Sequence, residues 1–207
     1  LTETEAYFEA SHPLDYRYAK DTRPVFTEGR WYGYNWTVET ALARVQAYKL
    51  GMFSTKVADT IAVAAEWLKK NIKTAALRVR KREEETGHDL MSMVEVLAEA
   101  CVEIMQADDP ELKLEKDLEL GKEAAGRIHE LATSYDIEDT AQVLRLLDAY
   151  KIICPKITTT IDAFVEKAVT YASTPCIGRT HGQHAVPTTF GFKYANFAHE
   201  LKQQLDN

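Results

Sequence analysis

An all-α fold is predicted by three features of the 207-residue sequence. Apolar residues recur at helical spacing through most of the chain, only nine glycines and six prolines interrupt them, and no run alternates like a half-buried strand. Val38, Ala41, Leu42, Val45 and Tyr48 define a first amphipathic helix, with Gly51 placed to end it. A second helical run covers roughly 57–80, with Val57, Ile61, Ala65, Leu68 and Ile72 on one stripe. A third carries Leu90, Met93, Val94, Leu97, Cys101 and Ile104. The turn-forming Asp108-Asp109-Pro110 marks the expected boundary between an N-terminal helical domain over 1–108 and a second domain over 109–207.

The second domain is dominated by one long periodic segment. Val143, Leu147, Tyr150, Cys154, Ile157, Ile161, Phe164 and Ala168 are spaced alternately four and three apart, the signature of a seam between long helices. Asp139 with Gln142 three residues later reads as the N-cap of that helix, and Pro155 predicts a kink. Such a face needs partner helices, so a bundle and an oligomer are expected. Pro175, Gly178, Gly182 and Pro187 then break up a loop. Thr188 is the expected cap of a last helix carrying Phe190, Tyr194, Phe197 and Leu201.

Composition narrows the function classes. With 25 Lys plus Arg against 32 Asp plus Glu the net charge is −7, which disfavours a nucleic-acid surface. No stretch approaches about 18 uninterrupted apolar residues, and the first seven residues do not read as a signal peptide, so neither a membrane partner nor secretion is expected. Cys101, Cys154 and Cys176 are odd in number and far apart, which suits reduced thiols in the cytoplasm. A start at Leu1 rather than Met points to a trimmed chain.

Several histidines sit beside hydroxyls, carboxylates or glycines: Thr86-Gly87-His88-Asp89, Ile128-His129 and Thr180-His181-Gly182-Gln183-His184. A histidine at a helix end can carry protons near working pH, or it can simply cap the helix. His181 and His184 could share a metal, but no supporting ligand motif accompanies them. Thr133 and Ser134 precede a helix start, where hydroxyls and free N–H groups either receive a carboxylate or form an ordinary turn. Asp15-Tyr16-Arg17-Tyr18 sets an Arg among aromatics, fit to grip a phosphate or to lie on the surface.

The stretch from Gly178 to Gly191, with Thr180-His181-Gly182-Gln183 at its heart, resembles the corresponding segment of the adenylosuccinate lyase family, within the fumarase/aspartase superfamily. Gly182 replaces the Leu usual in relatives that act on argininosuccinate or fumarate. Three further stretches match in the same order: His12-Pro13-Leu14-Asp15-Tyr16-Arg17-Tyr18, Thr86-Gly87-His88-Asp89, and Thr133-Ser134-Tyr135-Asp136 leading to Asp139-Thr140-Ala141.

The resemblance implies a fumarase/aspartase-type helical bundle and a β-elimination that releases fumarate from adenylosuccinate and from the succinyl-carboxamide ribotide. It implies His181 as general acid with His88 assisting. Gly87, His88, Asp89 and Thr180 would contact substrate, Thr133 and Ser134 would hold a succinyl carboxylate, and Arg17 with Tyr18 would hold the phosphate. No metal or organic cofactor is implied. The expected partner is a small-molecule substrate, and the family's homotetramer builds each site from three subunits.

His129 is set aside from the catalytic set. The family carries an aromatic residue and then Gly after this His, whereas Glu130 and Leu131 stand here, and Leu lacks the backbone freedom of Gly. The family's base is a Ser on a Ser-Ser-x-Met-Pro loop, which none of the five serines matches. The expectation is therefore an N-terminal portion that releases no fumarate alone. The competing readings are a related lyase or cycloisomerase acting on carboxymuconate, and a non-catalytic helical scaffold.

Overall fold

A computed structural model describes residue 14, residues 17–107, residue 112 and residues 117–207. After a 3-10 turn at Arg23–Phe26, the described elements are α1 (Glu28–Tyr48), α2 (Thr55–Lys70), α3 (Ile72–Thr86), α4 (Asp89–Gln106), α5 (Leu118–Arg127), α6 (Ser134–Thr170), β1 (Pro175–Thr180), β2 (Gln183–Thr189) and α7 (Phe190–Asp206). The all-α class holds, with one antiparallel β-ribbon added. The chain divides into two compact units, Leu1–Leu147 and Asp148–Asn207. The expected boundary at 108–109 falls outside the described residues. Because α5 packs against both α4 and α2 across it, the first unit runs on to Leu147.

In the first unit α4 is the central helix. Leu90, Met93, Val96, Leu97, Ala100, Cys101 and Ile104 are buried around most of its circumference, and α2 supplies Val57, Ile61, Ala64, Ala65 and Leu68 to the same core. Trp36 of α1 is fully buried and its indole N–H donates to the Met93 carbonyl at 3.0 Å, tying α1 to α4. The surface between α3 and α4 is laced by charge. Arg78 reaches Glu99 at 2.8 Å and Glu103 at 2.7 Å, while Arg82 pairs with Glu85, Glu95 and Glu99.

Two expectations for the first unit need correction. Of the expected stripe of α1, Val38 is buried and Leu42 packs half-buried against the core, but Ala41, Val45 and Tyr48 are exposed; the buried face is completed by Tyr32, Asn35, Trp36, Glu39, Ala43, Gln46 and Ala47. Polar members of that face find partners: Asn35 donates to the Trp31 carbonyl and Gln46 to the Glu130 carbonyl. The run over 57–80 is two helices, broken at Asn71, whose amide donates back to the Trp67 carbonyl.

In the second unit the seam of α6 is partly covered by α7. Phe164 meets Tyr194 and Phe197 with ring centroids 5.9 and 5.7 Å apart, and Phe190 packs edge-on to Tyr171. Gly191 makes that junction possible: a Cβ there would lie 2.5 Å from the Ala168 carbonyl oxygen. The predicted loop after Tyr171 is instead the ribbon, with Pro175 opposite Thr189 and Thr180 opposite Gln183, irregular between Ile177 and Arg179. The cap of α7 is Thr189 rather than Thr188; its hydroxyl accepts from the Phe192 N–H at 3.1 Å. Pro155 lies inside α6. Among the described residues no helix is long and apolar enough to cross a membrane.

Candidate functional site

The motif Thr86-Gly87-His88-Asp89 is the junction between α3 and α4. Gly87 ends α3 with φ +64, a conformation in which any Cβ is strained. His88 is the N-cap of α4, and its Nδ1 accepts from the Met91 N–H at 3.3 Å. That contact assigns the proton of the neutral ring to Nε2, so the solvent-facing imidazole is a donor. The Thr86 hydroxyl accepts from the His88 N–H and bonds Ser92 at 2.8 Å, which locks the turn. The Asp89 carboxylate accepts from the Leu90 N–H at 2.8 Å and lies 3.4 Å from His88 Nδ1.

Asp89 also lines a cleft of about 470 Å³ with Glu28, Trp31, Tyr32, Arg80, Glu83 and Met93. Burial, with a hydrogen bond to Glu28, pushes the Tyr32 phenol up to about 12. Glu138, in the first turns of α6, is raised by burial and by the neighbouring Asp89 carboxylate. This contact brings the His88-Asp89 turn beside the helix that carries Ser134.

Thr133 and Ser134 stand at the start of α6, which begins five residues before the expected cap; Asp139 is inside the helix. The reason is Asp136, whose carboxylate accepts the Thr133 N–H at 2.9 Å while its own N–H donates to the Thr133 carbonyl at 3.1 Å. Asp136 thereby closes the first turn in the manner of a capping box. Thr133 is exposed and Ser134 half-buried.

His181 lies in the second unit, at the tip of the ribbon. His181 and Gly182 have φ +53 and +72, the two positive values that a two-residue turn of type I′ demands. Nδ1 of His181 is 2.8 Å from the Thr180 hydroxyl. When Nδ1 accepts that O–H, the neutral ring carries its proton on Nε2. Among the described residues only His129, Leu131 and His181 combine a side chain with a left-handed backbone. Such conformations cost about 1–3 kcal/mol and gather at working sites. Arg17 and Tyr18 are exposed, and His12, Asp15 and Tyr16 of their motif lie outside the described residues.

Sequence reasoning passed over Glu39 and Glu138. The signal for Glu39 was its place three residues after Trp36 on what proved to be the buried face; for Glu138 the sequence carried none. Cys101 is buried, which pushes its thiol up to about 12 and makes it a packing residue.

A family model described as Lyase matches residues 9–207. The chain is 36% identical over 198 residues to adenylosuccinate lyase of Methanocaldococcus jannaschii, covering 95% of this chain and 38% of that protein. The corresponding enzyme of Pyrococcus abyssi is also 36% identical, over 200 residues, again with 95% and 38% coverage. The chain thus spans somewhat over a third of the length of these relatives. Among solved structures, β-carboxy-cis,cis-muconate cycloisomerase of Acinetobacter calcoaceticus superposes with a TM-score of 0.71 at 28% identity, covering 90% of this chain and 39% of that one. A fumarate lyase from a Mesorhizobium species gives 0.69 at 29% identity, with the same coverage.

Proposed function

The chain belongs to the lyase family, and from that premise we propose that the protein containing it eliminates fumarate from succinylated purine ribotides. The observation that carries the reading is the His181 turn: an imidazole held in left-handed backbone with its Nδ1 2.8 Å from the Thr180 hydroxyl, an arrangement that leaves Nε2 available to carry the proton. The similarity to adenylosuccinate lyases over 95% of the chain supplies the substrate class.

In this reaction a base removes a proton from the carbon beside a carboxylate, the C–N bond breaks, and the departing nitrogen needs a proton. His181 Nε2–H delivers it, and the Thr180 hydroxyl keeps that tautomer in place. His88, also protonated on Nε2, adds a second donor and assists, while Gly87 and Asp89 border the base and ribotide. Thr133 and Ser134 receive a succinyl carboxylate at the start of α6, where the helix dipole favours an anion. Arg17 and Tyr18 hold the phosphate. The reaction uses only side chains and needs no cofactor.

We assign the protein to the cytoplasm and to a homotetramer. The assembly reading is supported by the α6 seam, where Val143 and Tyr150 remain 54% and 55% exposed. In a polypeptide of the relatives' full length bearing this chain, His181→Ala lowers kcat for fumarate release at least about 100-fold. Turnover within a factor of three of normal removes His181 from the acid role. The cycloisomerase likeness favours a second reading, carboxymuconate as substrate. Succinyl-ribotide and carboxymuconate assayed side by side decide between them.

A further inference from the structure

Glu39 is a charged residue in a hydrophobic core. It lies on α1 between Trp36 and Ala43 with 2% of its surface exposed. An ionised carboxylate in that position costs several kcal/mol unless paired, so its partner says what the position is for. The partner is His129, whose Nδ1 is 2.7 Å from Glu39 Oε1. Glu39 is sealed from water, whereas 18% of the His129 side chain is exposed. Burial raises the Glu39 carboxyl, and the charge and hydrogen bonds of His129 oppose that rise.

The histidine sits on a turn built to hold it. His129 and Leu131 have φ +62 and +59, so Leu131 takes the backbone conformation for which glycine is the usual choice. The Ala132 N–H donates to the His129 carbonyl at 3.3 Å, and Thr133 with Ser134 follows directly. Two turns along α1 from Glu39, Gln46 donates to the Glu130 carbonyl at 2.6 Å, and Arg127 pairs with Glu130 at 3.0 Å. The Gln46 contact already anchors the turn's backbone, and Arg127 holds the Glu130 side chain. Glu39 adds nothing to that anchorage that a neutral side chain could not; what it adds is control of the ring. Among the described residues no partner engages Nε2 of His129.

We propose that Glu39 is a positioning residue that holds His129 with its proton on Nδ1, presenting a bare Nε2 beside the Thr133–Ser134 carboxylate pocket to bind the substrate. The inference rests on the lyase reading for what Nε2 contacts, and on the Glu39 geometry alone for the tautomer. A buried carboxylate that orients an imidazole is worth far more to turnover than to folding.

The tautomer is read by long-range 1H–15N correlation on the 207-residue chain at pH 8, with His129 assigned by its loss in His129→Gln. A protonated Nδ1 with a bare Nε2 supports the proposal; a protonated Nε2 with a bare Nδ1 overturns it. Glu39→Gln keeps the size of the side chain and shifts the population toward Nε2–H, while an unchanged spectrum counts against it. In the full-length polypeptide, Glu39→Gln lowers kcat/KM for succinyl-ribotide at least about tenfold. The Glu39→Gln/His129→Gln double variant is no worse than His129→Gln, since both act through one ring. Additive losses would assign Glu39 a purely structural role. If the unmodified full-length protein releases no fumarate, the lyase reading fails, and the tautomer spectrum still judges Glu39 by itself.

Discussion

Trp36→Ala tests whether α1 and α4 form one cooperative core. The indole is fully buried and donates to a carbonyl on the central helix, so truncation removes both a large apolar contact and a hydrogen bond. Large-to-small changes of a buried Trp cost about 3–5 kcal/mol, of which the hydrogen bond accounts for about 1. Set against about 5–15 kcal/mol for a whole domain, that is a large share of its stability. Trp36→Phe keeps most of the ring and loses the donor, and is expected to cost about half as much. All three tryptophans, Trp31, Trp36 and Trp67, belong to the first unit, so their fluorescence in urea follows that unit alone. With a slope of about 2 kcal/mol per molar, the Trp36→Ala midpoint falls by roughly 1.5–2.5 M. A midpoint within about 0.5 M of the native one, at unchanged slope, would refute the packing argument. Glu39 lies less than a turn from Trp36, so the same variant is expected to loosen His129 and blur its tautomer signal.

Gly191→Ala forces a methyl to within 2.5 Å of the Ala168 carbonyl oxygen and 2.6 Å of the Ala172 Cα, both backbone atoms. We expect a loss of about 2 kcal/mol or more, seen as a lower thermal midpoint for the second unit by circular dichroism, and native-like melting would be inconsistent with that contact. The Glu99 carboxyl supplies a pH prediction. Burial alone would raise it, but hydrogen bonds from Arg78 and the charge of Arg82 outweigh burial and hold it below the ordinary glutamate value. Its stabilising contribution is therefore complete above about pH 4.3 and is lost as pH falls through the lower folded value. Urea midpoints of the native chain should decline across that acid range more steeply than those of Glu99→Gln, and parallel curves would contradict the pairing.

The elements most legible in the sequence were those whose burial matches their polarity. Leu90, Met93, Leu97, Cys101 and Ile104 mark α4 because that helix is surrounded and has little polar face to misread. On α1 the same logic found Val38 and Leu42 but missed most of the buried face. Asn35, Glu39 and Gln46 are buried with one polar atom each partnered and the other left without a partner, two of the pairings reaching about 85–90 residues away, and hydropathy spacing carries no trace of them. The ribbon was missed for a different reason. Both of its strands are largely solvent-exposed, so no alternation of apolar and polar residues exists to be read, and its glycines and prolines look like loop punctuation. The motif residues could be located in the sequence, but their roles depend on backbone angles and tautomers that only three-dimensional contacts set. Thr133 and Ser134 illustrate this: the helix starts at them because of Asp136, not at the cap that spacing suggested.

The ribbon's turn has one further implication, for selection. An imidazole at position 181 occupies a corner of the chain where asparagine or glycine would rest more comfortably, since these tolerate positive φ at little energetic penalty. A lineage screened for ruggedness alone would drift toward those two residues and lose the imidazole in doing so. Under the acid role proposed for His181, histidine at this corner trades durability for turnover.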